Sequence, residues 1–307
     1  MKKFIQFSCM IVMVVMFSTK IYSESKFEDT MTMEFSDPSR PGLLIVSGGQ
    51  GDVTINGYNG KEVIIKTKSE IKNLTSPPED EKAKGLKRIS GTNFHVATIE
   101  DENAIAISLS LRDEVELFIQ VPFKTSLKLG GSNPKENIVN KTTGLGGILN
   151  PIIRGVMGGF FDGNIEVKNV SGEMEINTVD SNISLLDISG EAAVNTVDGD
   201  ILVTFEDVSR EKPMYFSAVD GDIDVTFPSD IQANLTIKCV DGDVFTDFEI
   251  DISRKPEVEK KKTSTGTVDV FGLIEFPGNN VTGKINGGGP EIQLRTIDGN
   301  IYLRKGK

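Results

Sequence analysis

From Asp162 onward the chain repeats a nine-residue frame of polar and apolar places: DGNIEVKNV, SGEMEINTV, DSNISLLDI, SGEAAVNTV, then DGDILVTF. The fourth, sixth and ninth places are apolar in every complete unit: Ile165, Val167, Val170; Met174, Ile176, Val179; Ile183, Leu185, Ile188; Ala192, Val194, Val197. The step of two, from the fourth place to the sixth, is the alternation of a strand with one buried face. The step of three, from the sixth to the ninth, and the polar triplet after it are where the strand must turn. The triplets alternate between D-[GS]-[ND] and S-G-E, so one coil spans about 18 residues and holds two strands and two distinct corners. Strand pairing would stack such coils about 4.8 Å apart.

The first corner type recurs beyond the regular stretch. Asp162, Asp180, Asp198, Asp220 and Asp241 are spaced 18, 18, 22 and 21 residues apart, and Thr296-IDGN-Ile301 repeats the turn near the C-terminus. Past Phe205 a connector, EDVSREKPMY, widens the spacing. The segment FPSDIQANLTIK (227–238) echoes VPFKTSLKL (121–129), and both are strand starts marked by Pro, so the earlier chain feeds the same stack. Upstream, residues 43–68 predict three strands with Gly corners, and FHVATIE, AIAISLSL and EVELFIQV predict further strands. Ser76, Pro77 and Pro78 followed by acids, then by Lys82, Lys84, Lys87 and Arg88, predict one short helix near residues 77–88, with a Ser cap and charges that suit its dipole. Two segments break the rhythm: the apolar, Gly-rich 143–161 and the polar, Lys-rich 252–267. The expected fold is all-β, a β-solenoid or β-helix-like roll of stacked coils about 18–22 residues long.

The N-terminus changes the compartment expected. Met1-Lys2-Lys3 precedes an apolar run from Ile5 to Phe17, with small residues at Ser23 and Ser25. That is the order of an export signal, and the run is short for a spanning helix. The expected organisation is a signal peptide at 1–23, a lead-in at 24–42 and one solenoid domain at 43–307 with the two insertions, leaving no transmembrane helix after cleavage. Residues 1–23 carry three Lys and no acid, so their removal takes the net charge from −12 to −15. A surface this acidic repels nucleic-acid phosphates and anionic lipid. Cys239 is the one cysteine left after Cys9 is removed, so no disulfide framework is available and packing must supply stability.

The order VSGGQGDVTINGYNGKEVIIK, VPFKTSLKL, repeated VDGDI, then INGGGPEIQLRTIDGNIYLRK resembles the bacterial DUF4097 family of β-helical exported proteins, over roughly 43–305. Residues 287–305 carry the most distinctive part, while the insertion at 143–161 and the DSN at 180–182 depart from the pattern. The resemblance implies a β-solenoid in the cell envelope: periplasm, outer surface or extracellular space. It also implies an adhesin-like role.

Candidate chemistry concentrates at the corners. Asp198 and Asp200, Asp220 and Asp222, and Asp241 and Asp243 would lie in register along one edge, and oxygen-rich clusters of that kind can take calcium. The turn itself also calls for these residues, because Asp accepts a backbone N–H two residues on and Gly takes a positive φ. Asn164, Asn182 and Asn300 replace the second Asp in three rungs, as the turn role permits. An RTX-type calcium roll would need GGxGxD in each half, and no nine here supplies it. Beyond calcium, no cofactor is implied. The one histidine, His95, lies in a predicted strand, which excludes paired-His metal sites. Cys239 occupies the slot held by Thr178, Thr196, Ala218 and Thr296, as a small buried thiol would. No G-x-S-x-G or Walker loop is present.

The insertion offers Ile148, Leu149, Ile152, Ile153, Val156, Met157, Phe160 and Phe161 as an exposed apolar patch of the partner-binding kind, or as a cover for an open end of the stack. The functional expectation is a non-catalytic envelope or surface protein that binds a protein or glycan. A structural or stress-associated periplasmic protein without external ligand comes second. A carbohydrate-active enzyme comes third, because a catalytic carboxylate pair occurs once whereas these carboxylates recur at the turn phase.

Overall fold

The computed structural model describes residues 26–70, 96–109, 115–130, 161–252 and 279–306, and strands are the regular elements of all of them. The expected signal peptide, the helix near 77–88, His95 and residues 143–160 of the first insertion lie outside the described residues, as do all but Ile252 of the second. In chain order the strands are β1 (Lys26–Glu34), β2 (Gly42–Ser47), β3 (Gly49–Gln50), β4 (Val53–Tyr58), β5 (Glu62–Glu70), β6 (Val96–Asp101), β7 (Ala104–Leu109), β8 (Val115–Pro122), β9 (Thr125–Gly130), β10 (Phe161–Asp162) and β11 (Ile165–Lys168). They continue with β12 (Ser171–Asn177), β13 (Ile183–Asn195), β14 (Ile201–Val208), β15 (Met214–Ser217), β16 (Ile223–Phe227), β17 (Ala233–Asp241), β18 (Val244–Thr246), β19 (Asp251–Ile252), β20 (Asn279–Ile285), β21 (Glu291–Asp298) and β22 (Ile301–Lys305).

The coils stack as two parallel faces joined at corners. One face pairs its strands in the order β8, β4, β11, β13, β14, β16, β22, β18, and from β11 on these follow the Asp-led corners. The other face pairs its strands in the order β7, β2, β9, β12, β13, β15, β21, β17, and from β12 on these lead into the Asp-led corners. β13 serves both faces by bending at its middle. The inward places of the first face form a column, Val53, Ile165, Ile183, Ile201, Ile223 and Ile301, all buried. Burying each such side chain contributes about 1.5–3 kcal/mol. Where the coils widen, Phe205, Phe216 and Phe227 fill the interior, with Phe205 stacked on Phe227 at 5.0 Å and Phe216 edge-on to both.

The stack does not follow chain order at either end. The β2–β4 coil sits between the β7–β8 coil and the β9–β11 coil, although β7 and β8 come later in the chain. The C-terminal β21–β22 coil sits between β15–β16 and β17–β18. Antiparallel strands then close the ends: β5 on β8 with β1 outside it, β6 on β7, and β20 on β17 with β19 outside it. Such covers protect the open edges that a parallel stack would expose.

The two corner types turn differently, so the apolar ninth place does not face the same way at both. At S-G-E corners the eighth place is Asn169 or Asp187, with φ of 54° and 53°. A left-handed residue there, tolerated by Asn and Asp, breaks the alternation, and Val170 and Ile188 swing into the core. At D-G-D corners the eighth place is Thr178 or Thr196, which stays extended and buried in line with the strand. The ninth place therefore faces out: Val179 is 37% exposed, Val197 46%, and Val219 in the next coil 38%. The glycine of the corner is required. Gly221 has φ of 146°, and a Cβ there would meet the Gly199 carbonyl oxygen at 2.2 Å.

Candidate functional site

The D-G-D edge is built by backbone and side chain together. Its first aspartates bridge rung to rung in the order Asp162, Asp180, Asp198, Asp220, Asp298, and Asp241 pairs with Asp298. The carboxylates of Asp198, Asp220 and Asp241 lie on exposed residues, one per rung. The third residues of the corners do a different job. Asp52 Oδ1 accepts the Asn164 N–H at 2.8 Å, Asn182 Oδ1 that of Asp200 at 2.9 Å, and Asp200 Oδ1 that of Asp222 at 2.8 Å. Asp222 Oδ1 accepts the Asn300 N–H at 2.6 Å, and Asn300 Oδ1 that of Asp243 at 3.0 Å. Each link needs one acceptor oxygen, which Asp and Asn supply equally. That is why the two types interchange at this place. Among the described residues no three His, Cys, Asp or Glu side chains come together as a metal site.

The small-residue slot behind this edge is buried. Thr296 Oγ1 donates to the Gly221 carbonyl at 3.0 Å, and Cys239 Sγ donates to the Gly299 carbonyl at 3.3 Å. Burial, then the nearby carboxylates of Asp243, Asp241 and Asp222, push the Cys239 thiol above its ordinary value. A thiol held protonated and covered is a poor nucleophile. Thr178 Oγ1 is the one buried side-chain oxygen or nitrogen without a hydrogen-bond partner among the described residues.

Of the eight apolar residues proposed as a contact patch, Ile148, Leu149, Ile152, Ile153, Val156, Met157 and Phe160 lie outside the described residues. Phe161 does not fit such a patch. It is 1% exposed, pairs with Gly49, and its carbonyl accepts Ser181 Oγ at 3.4 Å, so it belongs to the core.

A groove of about 600 Å³ crosses the outside of the second face at mid-stack. Its floor is a row in register on four rungs: Glu175, Ala193, Tyr215, Gln293. Ala193 makes the dip, because both of its neighbours carry long side chains. Tyr215, 38% exposed, rises beside it. A parallel row of amides begins where Asn195 Nδ2 donates to Asn177 Oδ1 at 3.0 Å and Asn177 Nδ2 donates to Glu175 Oε1 at 3.3 Å. Lys212, from the connector ahead of β15, spans the rim to Glu173 at 3.1 Å and Glu191 at 3.5 Å. The hydrogen bond to Glu173 holds its ammonium above the usual lysine range. Lys128 pairs with Glu175 at 2.7 Å. The sequence reading passed over this groove, although Asn at the seventh place of both S-G-E units, and Ala193 at the fifth of the second, mark it.

Two-strand coils with alternating corners, twenty of their strands curled into one sheet and β3 and β10 paired beside it, without a helix among the described residues, define a β-solenoid-like protein. Residues 161–272 match the model of the family described as Toastrack DUF4097, so the resemblance carried by the repeated corners is borne out over that stretch. No curated protein matches the chain. Among solved structures, a "putative cell adhesion protein" from Clostridium sporogenes is 10% identical, covering 92% of this chain and 100% of its own, with a TM-score of 0.36. A "putative adhesin" from Bacteroides fragilis is 10% identical, covering 92% of this chain and 98% of its own, with a TM-score of 0.35. A "putative lipid binding protein" from Parabacteroides distasonis is 10% identical, covering 91% and 97%, with a TM-score of 0.26. No helix among the described residues is long and apolar enough to cross a membrane.

Proposed function

We propose that this chain is an exported cell-envelope or surface protein that works by binding along an outer face of its coil stack rather than by catalysis. The observation that carries this reading is the division of labour between edge and face. At the corners, the third-position Asp and Asn oxygens are spent on backbone links from one rung to the next. On the second face, an open groove crosses four rungs with aromatic, amide and charged side chains directed outward. Export rests on the Lys-led apolar segment at the N-terminus.

The test is to express the full chain in a bacterium, sequence the N-terminus of the accumulated protein, and treat intact cells with protease. The purified mature protein is then mixed with isolated envelope material. The expected result is a processed N-terminus and retention on envelope material. A protein that keeps Met1 and stays in the cytoplasm, or that retains no envelope component, overturns the reading.

A further inference from the structure

The charges around the second-face groove nearly balance. Glu173, Glu175, Glu191 and Glu291, the last accepting a hydrogen bond from Gln293 Nε2 at 2.8 Å, stand against Lys128, Lys212 and Arg295, and both lysines are tied to these acids by ion pairs. On a chain of net charge −12, this nearly neutral strip is set apart from its surroundings. It has no surplus positive charge to attract a polyanion and too little negative charge to draw a basic peptide.

What remains to meet a ligand is the Tyr215 ring beside the Ala193 dip, with Asn195 and Gln293 on either side. An exposed aromatic ring offers a flat apolar surface with a polar tip. Amides both donate and accept hydrogen bonds. That pairing matches a pyranose, whose C–H face is apolar and whose hydroxyls also donate and accept. A protein partner would be expected to bury a centre richer in large apolar side chains, and among the groove's outward residues Tyr215 is the one of that kind. The groove is open along its length, and its four rungs extend roughly 14 Å at the strand spacing. A short stretch of a chain passing through fits that shape better than an enclosed small molecule.

We propose that the Ala193–Tyr215 groove is a binding subsite for a segment of neutral polysaccharide. This rests on the reading of the protein as an envelope binder and names its ligand class. Tyr215 stacks on one sugar ring over the Ala193 dip, while Asn195 and Gln293 bond the hydroxyls of the rings on either side. Lys212 braces the rim.

The experiment is calorimetric titration of the mature protein with neutral hexasaccharides of glucose, mannose and N-acetylglucosamine, and with an anionic galacturonate hexamer. At least one neutral oligosaccharide should bind, with an affinity that changes little between low and high salt. Tyr215→Ala should weaken it by about tenfold or more, Tyr215→Phe should keep most of it, and Ala193→Arg should abolish it. Circular dichroism confirms that each variant folds, and Gln293→Ala replaces Ala193→Arg if the latter does not. The proposal is overturned if no neutral oligosaccharide binds, if the anionic hexamer is the one retained, or if folded Tyr215→Ala binds as tightly as the wild type. Envelope binding that survives glycosidase treatment but not protease would also overturn it, by showing a protein partner. That outcome would leave the broader binding reading intact, whereas no envelope binding at all would sink both.

Discussion

The side-chain oxygen of Asn182 accepts the backbone N–H of Asp200 at 2.9 Å, one rung further along the stack. Asp200 does the same for Asp222 at 2.8 Å, and Asp222 for Asn300 at 2.6 Å. The corner is thereby pinned in register by a side chain from the coil before it, independently of the strand ladders. Since only an acceptor oxygen is used, Asp222→Asn should leave the urea midpoint almost unchanged. Asp222→Ala strands the Asn300 N–H on a half-buried corner and should cost about 1–2 kcal/mol. Equal loss in both variants would mean that charge, and not the acceptor, is what the corner requires.

The difference between the two corner types predicts opposite outcomes at places that look alike in the repeat. Ile188 and Val197 both hold the ninth place, yet Ile188 is buried and Val197 is 46% exposed. Ile188→Ala should cost about 2–4 kcal/mol through lost contacts and a cavity. Val197→Thr should shift stability by less than about 0.5 kcal/mol. Chemical denaturation of the two variants side by side settles the phase of each corner.

The repeat made the class of fold legible, because a period of two within each half-coil and a turn at fixed phase leave little besides stacked strands. The corner phases were encoded too, but in the contrast of Asn169 and Asp187 with Thr178 and Thr196, which an apolar pattern alone does not weigh. The order of the coils was not legible. Strands of similar pattern can pair with any equivalent neighbour, so local sequence could not place β21 and β22 between earlier coils. The groove was hidden for a related reason: its residues are outward ones, set side by side only once register brings Ala193, Tyr215 and Gln293 onto adjacent rungs. The apolar insertion drew attention because it broke the rhythm, and its one described residue, Phe161, proved to be core.

Cys239 yields a prediction in pH. Burial, with Asp243, Asp241 and Asp222 nearby, raises its folded-state value above the ordinary 9.0. Below the ordinary value the thiol is protonated in both states and has no effect on the folding balance. As pH rises past it, the unfolded chain releases the proton first, and stability falls until the folded value is reached. Cys239→Thr should fold normally, since Thr296 fills the equivalent slot one rung away with the same kind of carbonyl contact. Urea midpoints of wild type and variant should run parallel at neutral pH and diverge above about pH 9, with the wild type the weaker. Parallel curves throughout would show that the thiol titrates as if exposed.

The position of the C-terminal coil makes its removal a test of the whole architecture. In a stack that follows chain order, deleting the last coil exposes one new edge and leaves the others paired. Here β21 pairs with both β15 and β17, and β22 pairs with both β16 and β18. Deleting residues 286–307 would strip Ile292, Leu294, Ile301 and Leu303 from the middle of the core, leave β18 without its strand partner β22, and leave β17 paired with β20 alone. That variant should lose its cooperative urea transition and much of its strand signal in circular dichroism. Deleting residues 26–34 removes β1, an outermost strand paired on one side with β5, and should retain a cooperative transition at a lower midpoint. If the C-terminal deletion instead unfolds cooperatively near the wild-type midpoint, the last coil is a terminal addition and the inserted order of the stack is wrong.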